Sequence, residues 1–381
     1  MRSPQIRLAL LVLLGLAVPS LLQAQRPAGP RFQVNVQTAG LQSLADLAMN
    51  ARGEFVVTWI DIPDGSAERT ILARRFAPDG TPDTPEILVA RNPADSDPAK
   101  AVVMDDGSFV VVFPSFPDLA ARRYGPDGEF LGESVVARGL LRGQYAVAAR
   151  PQGGFALAWM KDGLVVTTRL FGADGKPNGP GHRLGLGRSP SIAVGPDGES
   201  VVTWLVELPI PNQEHLGDFY LFGQRLGADG RLQGGRIAVQ GRLRGILSGP
   251  QVAKDGQGDF LVLWKAAGVL QEGGTRSSQV GVFVKRFDAG GEPLTGPVKV
   301  AEDRVDVPRL AMDQAGNFDV AWSQSGVFVQ RFTPEGIPFR PALAVDSNGR
   351  LPLVASDANG NFVLVWSGFA EEILGQRFRR R

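Results

Sequence analysis

The densest gathering of residues able to do chemistry lies in the stretch Leu205–Asp218, where Glu207, Glu214, His215 and Asp218 are followed closely by Tyr220. A histidine beside a carboxylate can shuttle a proton or ligate a metal. The chain holds only one other histidine, His182, which is distant in sequence. The stretch therefore reads as a solvated polar loop suited to recognition, with no catalytic or metal-binding residues assigned. A second candidate set is made of arginines between repeated segments: Arg142, Arg188, Arg244 and Arg350, accompanied by Arg138, Arg242 and Arg304. Guanidinium groups in a ring can collect carboxylates, sulfated glycans or phosphate. The alternative is that they balance nearby acids such as Asp303 and Asp346. The charge balance favours that alternative, because 40 Lys plus Arg face 39 Asp plus Glu.

The inventory excludes several classes of chemistry. With no cysteine among 381 residues, there is no disulfide scaffold, thiol nucleophile or Cys-ligated zinc site. A Gly-x-Ser-x-Gly elbow, a His-Glu-x-x-His pair and a Walker loop are all missing. Asp313-Gln-Ala-Gly316 and Asp357-Ala-Asn-Gly360 faintly resemble calcium loops, yet no alternating Asp/Asn set with a distal Glu follows them. Tight hairpin turns account for both, and no cofactor is expected. The even charge also argues against a nucleic-acid partner.

The elements that would position these residues are repeated. A strand-like run ending in an aromatic occurs seven times, at Phe55–Trp59, Phe109–Phe113, Phe155–Trp159, Ser200–Trp204, Phe260–Trp264, Phe318–Trp322 and Phe362–Trp366. All six Trp occupy its last position. Each run is followed by an Arg–aromatic or Arg–Leu pair, beginning with Arg75-Phe76 and ending with Arg377-Phe378, usually before a Gly-containing turn. Recurrence at a strand end predicts that the Trp rings pack between neighbouring units and do not stack on sugars. The Arg is expected to contact an aromatic or a carboxylate within its own unit. The first unit predicts strands at Leu44–Met49, Glu54–Trp59, Ile71–Phe76 and Glu86–Ala90, punctuated by Gly, Asp, Asn and Pro. Helical periodicity is missing after the first 24 residues.

These features predict an all-β fold: a seven-bladed β-propeller of four-stranded antiparallel blades. The seventh unit ends after its third run, at Arg381. The segment Gly29–Asn35 looks like a fourth run, so a strand at about 31–36 is expected to complete the last blade. Residues 1–24 carry Arg2 and Arg7, an apolar run Leu8–Val18 and small Ala24, the layout of a secretory signal peptide. That leaves residues 25–381 as one exported domain, secreted or periplasmic, with 38 basic against 39 acidic residues and no further stretch able to span a bilayer.

The strings Asp-x-x-Gly-x-Phe-Val-Val-x-Trp and Gln-Arg-Phe-x-x-x-Gly-x-Pro, clearest at Asp313–Pro338 and Asp357–Phe378, resemble repeats of large exported bacterial proteins. That resemblance implies a propeller within a surface or adhesion-like protein and says nearly nothing about activity. The Arg-Tyr-x-x-Asp-Gly string also resembles shell-forming Tyr-Asp repeats, whose period is much shorter. The longest insertions, Leu205–Asp218 and Lys265–Gln279, should form loops on one face. A secreted binding or scaffold role toward a protein or glycan is the reading that follows. The alternative is a polysaccharide-acting hydrolase or lyase with paired carboxylates near the central channel.

Overall fold

The computed structural model describes residues 26–92, 98–161, 164–209, 217–272, 275–369 and 371–380, with 140–143, 272 and 275 described by backbone alone. The leader, Glu214 and His215 lie outside the described residues, as does the side chain of Arg142. Every regular element among the described residues is a β-strand, and the pairing is antiparallel throughout. The first sheet runs in chain order through Leu41–Met49, Phe55–Ile62, Thr70–Phe76 and Ile87–Arg91, close to the expected boundaries. Three further four-stranded sheets begin at Lys100–Val103, Leu140–Ala149 and Asp306–Met312.

Unbroken runs of β-branched and aromatic residues explain why these segments are strands. In Phe55–Trp59 every side chain is buried, as expected of a central strand covered on both faces. Gly positions supply the turns: Gly316 and Gly360 both sit at φ +81°, a region costly for residues with a Cβ. Asp313 and Asp357 brace those turns, each accepting two backbone N–H bonds through Oδ1 at 2.8–3.0 Å. The calcium-like spacing is thus a self-contained turn.

The recurrent aromatics face the preceding sheet. Trp204 shares an apolar cluster with Ala156, Ala158 and Val166, Trp322 with Leu261 and Leu263, and Trp366 with Ala321 and Val329. Trp59, in the first sheet, clusters with Leu353, Val363 and Val365 of the last. All six Trp are buried. A second aromatic layer joins the two halves of six repeats: Phe55 stacks on Phe76 with centroids 4.8 Å apart and planes 4° from parallel. The same pair recurs as Phe109–Tyr124, Phe155–Phe171, Phe260–Phe287, Phe318–Phe332 and Phe362–Phe378.

Two expectations need correction. The Phe155↔Phe171 register places Leu170, not Arg169, where Arg75 sits in the first unit. The repeated arginine is therefore absent at that point of the third unit. Arg150, from the preceding turn, takes over and donates to the Ala228 carbonyl at 3.0 Å. The arginines also do more than contact their own unit. Arg75, Arg286 and Arg331 donate to Gly107, Gly316 and Gly360 carbonyls, and Arg123, Arg225 and Arg377 to those of Ala173, Ala289 and Asp79, all in turns of a neighbouring repeat. Carboxylates of the same unit hold several of them in place, as Asp255 does Arg286 at 2.5 Å.

The last sheet contains Arg350–Ser356, Phe362–Ser367 and Ile373–Arg379, and its outer edge is taken by the N-terminal segment. Phe32 and Gln33 pair with Gly375 and Leu374, and Val34 N–H donates to Ile373 at 2.8 Å. Between the third sheet and that beginning at Asp306 lies one seven-stranded sheet. The 23-residue strand Leu232–Lys254 joins it, pairing with Gly217–Leu226 on one side and Phe260–Glu272 on the other.

Candidate functional site

The described parts of the two long insertions, 205–209 with 217–218 and 265–272 with 275–279, are not irregular loops. They prolong the ladders of their strands: Ser200–Pro209 pairs with Gly217–Leu226 as far as Pro209↔Gly217, and Phe260–Glu272 pairs with Thr275–Phe287 as far as Glu272↔Thr275. Leu232–Lys254 runs between them, so five strands form one continuous wall. The sequence signal missed was composition, since Leu205-Val206 and Val269-Leu270 carry strand-forming apolar residues past the aromatic.

Strand alternation gives the wall two faces. Phe219, Leu221, Leu243, Leu247 and Leu270 point into a buried cluster. The opposite face presents Leu208, Ile246, Val269 and Val280, all exposed, among Asp218, Arg242 and Arg244. Asp218 is the anchor of that face: Arg242 Nη2 donates to Oδ2 at 2.5 Å and Arg244 Nε to Oδ1 at 3.4 Å. The Arg242 hydrogen bond leads in holding the Asp218 carboxyl below the usual carboxylate range, with the Arg244 bond and both charges adding to it. Arg188 pairs with Glu207 at 2.6 Å and lies over the Phe219 ring at 5.6 Å. Tyr220 stacks on Phe222 with planes 4° apart. The structure thus sets Asp218, Tyr220, Arg242 and Arg244 on one face of the wall and the Arg188–Glu207 pair on the other, beside Phe219. Arg350 stands apart in the last sheet, 3.9 Å from Glu371. Arg188, Arg242, Arg244 and Arg350 each have an acid beside them, although Asp303 and Asp346 pair with Lys265 and Arg31 instead.

The residues that sequence reasoning missed lie at the centre. The position pairing with the residue just before each repeated aromatic is Asp46, Lys100, Ala146, Ser191, Gln251, Arg309 or Leu353. All seven line one cavity of about 430 Å³. Asp46 is its only acid among the described lining residues. At one mouth Asp105 and Asp255 line a smaller cavity of about 230 Å³. Burial pushes the Asp255 carboxyl up against the pull of Arg286, but its Oδ2 is taken by that arginine and its Oδ1 by the Gln257 N–H. A pair of free converging carboxylates, which a glycosidase needs, is therefore absent among these lining residues. The described residues also contain no group of three metal-ligating side chains. Among these lining residues the acids do not form an assembled acid–base pair.

The sequence matches no protein-family model and none of the curated proteins compared. Solved structures of similar fold include a protein of unknown function from Dyadobacter fermentans, with a TM-score of 0.53 and 11% identity over 93% of this chain and 99% of that one. Another is the β-propeller domain of the trilobed protease from Pyrococcus furiosus, described as having an open velcro topology, with a TM-score of 0.53 and 9% identity over 90% and 96%. A puromycin hydrolase matches with a TM-score of 0.51 and 14% identity, over 88% of this chain but only 52% of its own. At such identities the likeness shows a propeller-like fold and nothing about activity.

Proposed function

We propose that this chain is an exported, seven-bladed binding propeller that engages a protein partner through the five-stranded wall. In this reading the seven-stranded sheet is two blades merged by Leu232–Lys254, the N-terminal segment closes the ring, and residues 1–24 direct export. The observation that carries the functional reading is the outer face of the wall, where Leu208, Ile246, Val269 and Val280 stand exposed around charges fixed by Asp218. An exposed apolar patch rimmed by ordered charge is the composition of an interaction surface. Its aliphatic character favours a protein over a glycan, because sugar platforms use exposed aromatic rings and every Trp here is buried.

The test is affinity capture from proteins of the exported fraction, run alongside a glycan array. Bait is either the mature chain or a double variant, Ile246→Asp with Val269→Asp. The reading expects a protein captured by the first and lost with the second, at an unchanged unfolding midpoint. Equal capture by both baits, or binding confined to the glycan array, contradicts it.

A further inference from the structure

The central cavity poses a problem of charge that the wall does not solve. Three largely buried arginines are matched by acids, Arg75 with Glu54 and Asp83, Arg286 with Asp255 and Asp259, and Arg331 with Asp313, while the buried Arg150 donates to the Ala228 carbonyl. That is what the cost of burying a guanidinium requires. Arg309 is different. It projects among the inner strands, and among the described residues it takes no hydrogen bond or ion pair. Burial pushes its guanidinium below its ordinary value against the attraction of Asp46, though it remains charged at neutral pH. Lys100, half-buried on the same lining, takes no such partner either.

The neighbouring polar groups are already committed. Asp46 Oδ2 accepts from Ala101 N–H at 2.9 Å, Ser191 Oγ from Val252 N–H at 3.1 Å, and Gln251 spans to Leu310 N–H and the Pro308 carbonyl at 2.9 and 2.6 Å. These bonds stitch adjacent inner strands together and leave the two cations facing open space. We propose that this cavity binds a small organic acid with one net negative charge, its carboxylate held by Arg309 and Lys100. The charge follows from the lining, where two cations and the single anion Asp46 leave one positive charge to neutralise. The organic body follows from the walls, since the half-buried Ala48, Val147 and Ala148 offer hydrocarbon around that charged pair. A cavity of about 430 Å³ has the size of a small-molecule site.

The experiment is calorimetric titration of the mature chain with acetate, pyruvate and D-glucuronate, against glucose and inorganic phosphate at matched ionic strength. At least one monocarboxylate is expected to bind with one-to-one stoichiometry and raise the unfolding midpoint, while glucose does neither and phosphate does so more weakly. Arg309→Gln should weaken that binding about tenfold or more, the scale of a lost charge-assisted hydrogen bond. Lys100→Gln gives an independent reading should Arg309→Gln fail to fold. Asp46→Asn keeps an oxygen acceptor for Ala101 while raising the lining to two positive charges, and should turn preference from pyruvate toward malonate. Absence of saturable binding by all three acids overturns the proposal, as does tightest binding by phosphate. Undiminished affinity in the Arg309 and Lys100 variants, or an unaltered preference in Asp46→Asn, overturns it equally. The double variant of the wall should bind the acid like the unmodified chain, so this result and that for the partner surface are separable.

Discussion

Arginine is the residue on which this molecule most depends, and its value differs with surroundings. Arg331 is largely buried, joins Asp313 and Asp319, and donates to the Gly360 carbonyl in the following repeat. Arg331→Ala removes the close ion pair of Asp313, whose side chain has no exposed surface, leaving it only the longer 3.8 Å pair with Arg380, and should cost about 3–5 kcal/mol in urea unfolding. Arg231, exposed and 3.6 Å from Asp229, should cost under about 1 kcal/mol on the same change. A second residue-scale expectation concerns acid. Burial of Asp346 raises its carboxyl, but the Asn348 N–H, the Trp366 indole N–H at 3.1 Å, the Arg31 charge and the Gly349 N–H outweigh it and leave the group below its ordinary value. A carboxyl depressed on folding contributes stability that is full above its unfolded pKa of about 4 and lost as pH falls through the folded one. Asp346→Asn should therefore be less stable near neutrality and show a shallower loss on acidification, read by Trp fluorescence against pH.

The strands themselves were largely legible, because Phe-Val-Val-Thr-Trp and its copies combine β-branched and aromatic residues with Gly-bearing turns, and those preferences are local. What local preference does not carry is partnership across sheets. The stacking of Phe55 on Phe76 joins two motifs that look separate in sequence, and the vacancy left by Arg169 is visible only through register. The wall is hard to read in sequence because the length of the insertions suggests loops while their strand-forming residues past the aromatic are few, and Arg309 has no repeat signature at its position. One element-scale prediction follows from the odd repeat, in which Ser200 faces Leu226 where the others hold an aromatic pair. Ser200 Oγ is buried without a partner, so Ser200→Ala should raise stability by about 1 kcal/mol. Phe318→Ala, which removes one ring of a stacked buried pair with Phe332, should lower it by about 3–5 kcal/mol.

At the scale of the whole molecule, the account rests on the first strand lying against the last. Successive sheets pack through the aromatic at the end of each second strand, and the cluster around Trp59 draws on both ends of the chain. In the proposed reading the wall and the central cavity depend on a closed ring, because the cavity needs inner strands from every repeat and the wall needs a rigid base. Because the chain contains no cysteine, a pair can be introduced without competing thiols. Gln33 and Leu374 are opposed residues of an antiparallel pair, whose Cα separation of about 4.5–5.5 Å suits a disulfide. The most direct measurement is therefore oxidation of Gln33→Cys/Leu374→Cys, followed by thermal unfolding with and without reductant. A closed ring predicts near-complete intramolecular disulfide formation and a stabilisation reversed by reductant, up to about 5 kcal/mol for so long a loop. Thiols that stay free or pair only between molecules would contradict it.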